Sequence, residues 1–320
     1  MPKLQVALYW ASSCGGCEIA TLAIGDKILK LAGAADIVFW PVAIDTKYAD
    51  VENMADNSID ACLFNGAIRN SENEHMAKLL RRKSKILIAY GSCAYEGCIP
   101  GLANFFTAES ILDNTYIDTA SSDNADKTLP QASVKVPEGE LELPEFYNTV
   151  KTLAQTVEVD YFVPGCPPEE STTWMALEAL IDGKLPPKGS VISPPGTAVC
   201  NDCARIKHEK KIKAFHRPYE IIPAPDECLL EQGLLCCGMA TRGGCGAPCP
   251  QANMPCTGCY GPVDGVRDQG SHILTAWASI IDSNDPDEIK KILDGIVDPA
   301  GYAYRYSLPD SMLRRARITP

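Results

Sequence analysis

Fifteen cysteines in a 320-residue chain limit what it can fold into more than any other feature of the sequence. Residues 1–10 lack the basic and apolar regions of a secretory leader, and no apolar run reaches the roughly 18 residues of a membrane span, so a cytoplasmic chain is expected. In a reducing cytosol a disulfide framework does not persist, which makes metal ligation the leading reading. Six cysteines are scattered through the first 170 residues, mostly at the ends of apolar runs, while nine crowd between Cys200 and Cys259 among Gly and Pro. Two kinds of site are implied. A net charge of -12 argues against nucleic acid or an anionic membrane as partner, because both would repel this surface.

With 46% hydrophobic residues the chain can bury a full core, and its length allows two domains. Residues 4–10, 36–42, 59–64, 85–90 and 157–163 are short apolar, β-branched or aromatic runs, the pattern of buried strands. Helix-like stretches lie between them, and after Pro167 and Pro168 the residues Trp174, Leu177 and Ile181 fall at helical spacing before Gly183. Such alternation predicts a parallel α/β sheet, whose ligands gather outside the carboxyl ends of the strands. Residues 107–144 are polar and without period, as in a long surface excursion, and residues 185–195 read as a domain link. The expected domains are therefore 1–184 and 185–320. Beyond the link, periodicity returns at 272–281 and again after Pro286, with Ile289, Ile292, Leu293 and Ile296 as the apolar face.

The first predicted strand runs into Cys14-Gly-Gly-Cys17, where two glycines let the backbone wrap closely while both thiolates face one centre. Alone, Cys-x-x-Cys also suits a redox pair or a zinc half-site. Gly91-Ser92-Cys93 and Gly165-Cys166-Pro167 follow two further strands, so four thiolates converge at one sheet edge. Structural zinc normally uses knuckles close in sequence, whereas cubane clusters accept such dispersed ligands, and the cluster reading is preferred. Cys62 lies within an apolar strand and reads as a small buried hydrophobe. Cys98, five residues after Cys93, has no assigned role.

Cys200, Cys203, Cys228, Cys236, Cys237, Cys245, Cys249, Cys256 and Cys259 offer nine thiols for the eight ligand places of two cubanes. A zinc ribbon would separate its Cys-x-x-Cys pairs by about 15 to 20 residues; here Cys203 and Cys256 are more than 50 apart. His208 and His216 sit in a basic stretch from Arg205 to Arg217 that reads as solvated surface.

Together, Cys14-Gly-Gly-Cys17, Tyr90-Gly-Ser-Cys93-Ala, Pro100-Gly-Leu102, Val163-Pro-Gly-Cys166-Pro-Pro and Pro255-Cys256-Thr-Gly-Cys259-Tyr-Gly-Pro262 resemble the small subunits of NiFe hydrogenases. The likeness is to the soluble methyl-viologen-reducing type associated with heterodisulfide reductase. It implies a flavodoxin-like parallel-sheet domain followed by a smaller, irregular iron-sulfur domain, with three 4Fe-4S clusters. Carried over by position, Cys14, Cys17, Cys93 and Cys166 would hold the proximal cluster. Cys245, Cys249, Cys256 and Cys259 would hold the medial one, and Cys200, Cys203, Cys228 and Cys236 the distal one. Cys98 stands where relatives commonly have Gly, and Cys237 competes with Cys236 as a distal ligand. In many uptake relatives a Pro takes one medial position and leaves a 3Fe-4S centre.

The function this resemblance implies is electron relay from hydrogen oxidation on a NiFe large subunit. The electrons would pass to a small 2Fe-2S protein and a heterodisulfide-reductase-like flavoenzyme, and no bond-cleaving residue is expected on this chain. One alternative is an electron-transfer scaffold whose large partner lacks NiFe. Another is a quinone module of the respiratory type, but such subunits carry an adjacent cysteine pair in the first domain, whereas Cys236-Cys237 lies in the second. A disulfide oxidoreductase acting through Cys14 and Cys17 is disfavoured, since no His or Lys stands near them in sequence.

Overall fold

The computed structural model describes residues 2–194, 196–209 and 211–313. Five strands form a parallel sheet: β1 (Leu4–Trp10), β2 (Ala35–Phe39), β3 (Ile59–Asn65), β4 (Ser84–Tyr90) and β5 (Tyr161–Val163). Their order is β2-β1-β3-β4-β5, the strand order of flavodoxin. Successive side chains alternate between the two faces. Val6, Leu8, Leu63 and Ile88 thus pack on one side with Leu31, Leu177 and Leu180, and Ala7, Tyr9, Cys62, Phe64 and Leu87 on the other with Met76 and Leu80.

Among the helices that accompany this sheet are α1 (Gly16–Leu22), α2 (Lys27–Ala34), α3 (Ser71–Lys83), α4 (Ser92–Glu96) and α5 (Glu170–Ile181). In α3 the Asn70 side chain caps the Asn73 N–H, Glu72 and Glu74 lie in the first turn, and Arg81, Arg82 and Lys83 in the last. Each charge complements the helix dipole. The surface excursion is more ordered than its composition suggests. Residues 108–118 are helical, and Ser133–Val136 pairs with Gly139–Glu142 as an antiparallel hairpin. Both strands of that hairpin are largely exposed, so no apolar alternation marked them.

The second core gathers Ile212, Phe215, Leu230, Leu235, Ile273, Trp277, Ile280, Ile292, Ile296 and Leu308. Two helices supply much of it: α6 (Gln269–Ala278), capped by Asp268, and α7 (Pro286–Leu293), capped by Asp285. Of the apolar face expected after Pro286, Leu293 is exposed, while Ile292 and Ile296 are buried and Ile289 is half-buried. The chain then returns to the sheet. Cys98 N–H donates to Tyr306 O at 2.9 Å and Gln155 Nε2 to Pro309 O at 2.7 Å, which ties the two cores together.

Candidate metal centres

The carboxyl ends of β1, β4 and β5 place the first four thiols. Cys14 and Cys17 lie on the turn into α1, where Gly15 takes a left-handed φ of 81° and Gly16 N–H points at Cys14 Sγ, 3.4 Å away. Gly91, just past β4, donates to Val163 O at 2.8 Å, and Ser92 N–H to Gly165 O at 2.8 Å, so the loops bearing Cys93 and Cys166 are locked side by side. A β-carbon on Gly91, which sits at φ 84°, would overlap Cys17 Sγ. Burial and the nearby Cys93, Cys166 and Cys14 push the Cys17 thiol well above its ordinary pKa. Such a thiol ionises readily only beside a cation.

The second group divides in two. Cys245, Cys249, Cys256 and Cys259 line a cavity of about 130 Å³ together with Pro248, Pro250 and Tyr260, and Cys166 reaches the same cavity from the first group. Left-handed backbone at Ala247 (φ 53°) and Gly258 (φ 104°) turns their N–H groups onto Cys245 Sγ and Cys256 Sγ. The Cys166 N–H points likewise at Cys259 Sγ. Ser92 Oγ donates to Cys259 O, Glu169 N–H donates to Tyr260 Oη at 2.8 Å, and that hydroxyl donates to Thr172 at 3.2 Å. This loop is therefore seated directly on the sheet domain.

Cys200, Cys228 and Cys236 form the remaining neighbourhood, and Cys203, like Cys236, packs against the small cluster of Val199, Ala247 and Cys256. Cys236 Sγ receives the N–H groups of Gly238 and Cys256, although burial pushes its thiol up to about 12. The adjacent Cys237 is fully buried in the core with Trp277 and Tyr302. Backbone anchoring separates the pair, because Trp277 Nε1 donates to Cys236 O at 3.1 Å and Tyr302 Oη to Leu235 O at 2.9 Å.

The sequence reading passed over Arg205 as surface charge. It is buried and donates to Pro250 O (2.9 Å), Ala224 O (3.0 Å), Glu227 O (2.9 Å) and Asn253 Oδ1 (2.6 Å), supplying donors to carbonyls that irregular loops leave unpaired. His208 and His216 are solvated as expected, facing Glu227 and Glu220. Cys62 is buried among apolar side chains of the sheet. Cys98 is not, since its Sγ lies 3.6 Å from Cys166 Sγ.

Among the described residues, no three Cys, His, Asp or Glu side chains stand at single-ion spacing. The thiols ring space instead, receive backbone N–H groups and are approached by glycine where a β-carbon would intrude, all of which suits cysteine-held iron-sulfur clusters. Chain contacts also join the groups in series. Cys166 meets Cys259 at one end, and at the other Cys256 meets Cys236, with Cys237 N–H donating to Cys256 O at 2.8 Å.

A flavodoxin-order sheet that carries cysteines at its strand ends places the chain in a class of electron-transfer subunits, and the family described as "NADH ubiquinone oxidoreductase, 20 Kd subunit" matches residues 14–180. An iron-sulfur subunit of the F420-non-reducing hydrogenase of Archaeoglobus profundus is 43% identical, over 98% of this chain and 98% of that protein. The corresponding subunit of the F420-non-reducing hydrogenase of Methanothermobacter marburgensis is 34% identical, over 97% and 96%. The chain belongs to this family of hydrogenase iron-sulfur subunits. A [NiFeSe] hydrogenase chain from Desulfovibrio vulgaris Hildenborough shares the fold at a TM-score of 0.51 and 15% identity, covering 83% of this chain and 95% of that one.

Proposed function

We propose that this chain is the electron-transfer small subunit of a cytoplasmic NiFe hydrogenase, joining hydrogen oxidation on a large partner subunit to an acceptor protein through three 4Fe-4S clusters. The observation that carries the proposal is the unbroken series of thiol groups from Cys14 to Cys228, in which contiguous residues link one group to the next. Cys14, Cys17, Cys93 and Cys166 are assigned as proximal ligands, Cys245, Cys249, Cys256 and Cys259 as medial, and Cys200, Cys203, Cys228 and Cys236 as distal. Cys236 is preferred to Cys237 because its sulfur faces Cys200 and Cys228. The two domains are assigned to 1–184 and 185–320.

When bound, such clusters supply sites that accept and release single electrons. The chain's own part is to hold thiolates, to aim N–H groups at their sulfurs, and to pack the buried Tyr260 and Trp277 and the two cores beside them. Hydrogen cleavage is assigned to the partner large subunit. A small 2Fe-2S protein and a heterodisulfide-reductase-like flavoenzyme are the proposed acceptors. No described helix is long and apolar enough to cross a membrane. The two archaeal relatives are hydrogenase subunits along nearly their whole length, which favours this reading over a NiFe-free scaffold. The respiratory-type match stops at residue 180, before the second cysteine group, which weighs against a quinone module.

The test is metal analysis of the anaerobically purified complex. About twelve iron and twelve acid-labile sulfide per copy of this chain are expected from three cubanes, together with nickel in the large partner. Zinc in their place, or only about four iron, would refute the assignment of the second domain, and a nickel-free partner would restore the scaffold reading.

A further inference from the structure

We propose that Cys98 is a positioning residue of the proximal site, whose S–H donates a hydrogen bond to the Cys166 sulfur and raises the readiness of that site to take an electron. This rests on Cys14, Cys17, Cys93 and Cys166 holding the proximal cluster.

The geometry is specific. Cys98 Sγ lies 3.6 Å from Cys166 Sγ, within reach of a sulfur-to-sulfur hydrogen bond, and the residue has no solvent exposure. Its backbone has a φ of 46°, a left-handed conformation that favours glycine. That conformation is held from outside the loop, because Cys98 N–H donates to Tyr306 O at 2.9 Å and the Pro309 ring packs where side chains on Gly97 and Gly101 would stand. Cys62 offers the contrast. It too is a fully buried free cysteine, but it lies in a regular strand among apolar neighbours.

A hydrogen bond to a ligand sulfur stabilises the form with more negative charge, which is the reduced one, and so raises the potential. One electron enters the site and the proton stays on Cys98, so no co-reactant is needed. Removing the donor should lower the potential without removing iron.

The experiment is a redox titration of the intact hydrogenase complex, followed by electron paramagnetic resonance, in wild type, Cys98→Gly, Cys98→Ser and Cys166→Ala. Glycine suits the left-handed backbone and removes the thiol without strain, while serine keeps a donor. The signal lost in Cys166→Ala marks the proximal site. In Cys98→Gly the iron content should be unchanged, and the reduced-to-oxidised ratio of that signal at fixed poise should fall about tenfold, equivalent to ~59 mV for one electron. Cys98→Ser should recover most of the shift. An unchanged potential in Cys98→Gly overturns the proposal, as do equal shifts in the glycine and serine variants, which would mean that packing alone matters. Loss of iron in Cys98→Gly overturns it differently, by making Cys98 a ligand. If Cys166→Ala removes no signal, the four-thiol assignment itself fails and the proposal falls with it.

Discussion

At the scale of single residues, the same side chain does two different jobs in this molecule, and its surroundings decide which. Cys62 is fully buried in β3, and burial pushes its thiol up to about 12, so it stays neutral and packs as a small hydrophobe. Cys166 stands at the end of β5 between two thiol groups. Cys62→Ala should therefore cost on the order of 1 kcal/mol in stability and leave hydrogen-dependent dye reduction near wild type. Cys166→Ala should leave the proximal site one thiolate short and reduce that activity steeply. Equal losses in the two variants would show that Cys62 has been misassigned. Most of this contrast was legible in the sequence, since Cys62 sits inside an apolar run and Cys166 between Gly and Pro. The split between Cys236 and Cys237 was not. It depends on Trp277 and Tyr302, which approach from far along the chain to fix the backbone on either side. Arg205 was missed for a related reason, because a basic neighbourhood hides one guanidinium that turns inward to loop carbonyls.

At the scale of elements, all five strands of the sheet could be read from sequence, because strands covered on both faces become continuous apolar runs. The loops at their ends were legible as motifs but not as geometry. Gly91 shows what geometry adds. Its φ of 84° alone would disfavour a side chain, and a β-carbon there would also collide with Cys17 Sγ. Gly91→Ala should thus displace a proximal ligand while β4 and α4 remain intact. The expected outcome is loss of about one third of the iron, the share of one cubane in three, with the circular dichroism of the folded chain retained. Full iron content in that variant would show that the Cys17 sulfur can move aside and that glycine is not required. The hairpin at Ser133–Val136 and Gly139–Glu142 escaped the sequence reading because Val134 and Leu141 are exposed, so burial left no pattern to detect.

At the scale of the whole molecule, order along the chain and order in space disagree. The cysteines from Cys245 to Cys259 come after Cys200, Cys203, Cys228 and Cys236 in sequence, yet they lie between those residues and the sheet. No spacing rule yields that arrangement. It follows from the Tyr260 contacts to Glu169 and Thr172, and from the return of the chain end to Cys98 and Gln155. In the proposed relay the middle group would govern passage between the other two, and the number of irons it held would matter most. Cys249, on the turn Pro248–Gln251, lines the same cavity as Cys245, Cys256 and Cys259, and Arg205 secures that turn through Pro250 O. A fourth thiolate retains a fourth iron and, other things equal, adds negative charge that lowers the potential relative to a three-iron centre. Such a relay suits a low-potential acceptor. In an anaerobically oxidised sample of the wild-type complex, a 3Fe-4S centre gives a strong paramagnetic signal and an oxidised 4Fe-4S centre gives none. The wild type should be silent in that state, and Cys249→Pro should develop a near-stoichiometric three-iron signal there, while the proximal signal that appears on reduction is kept. A three-iron signal of that size in undamaged wild type would show that Cys249 does not reach the medial cluster, and the low-potential relay would fail with it.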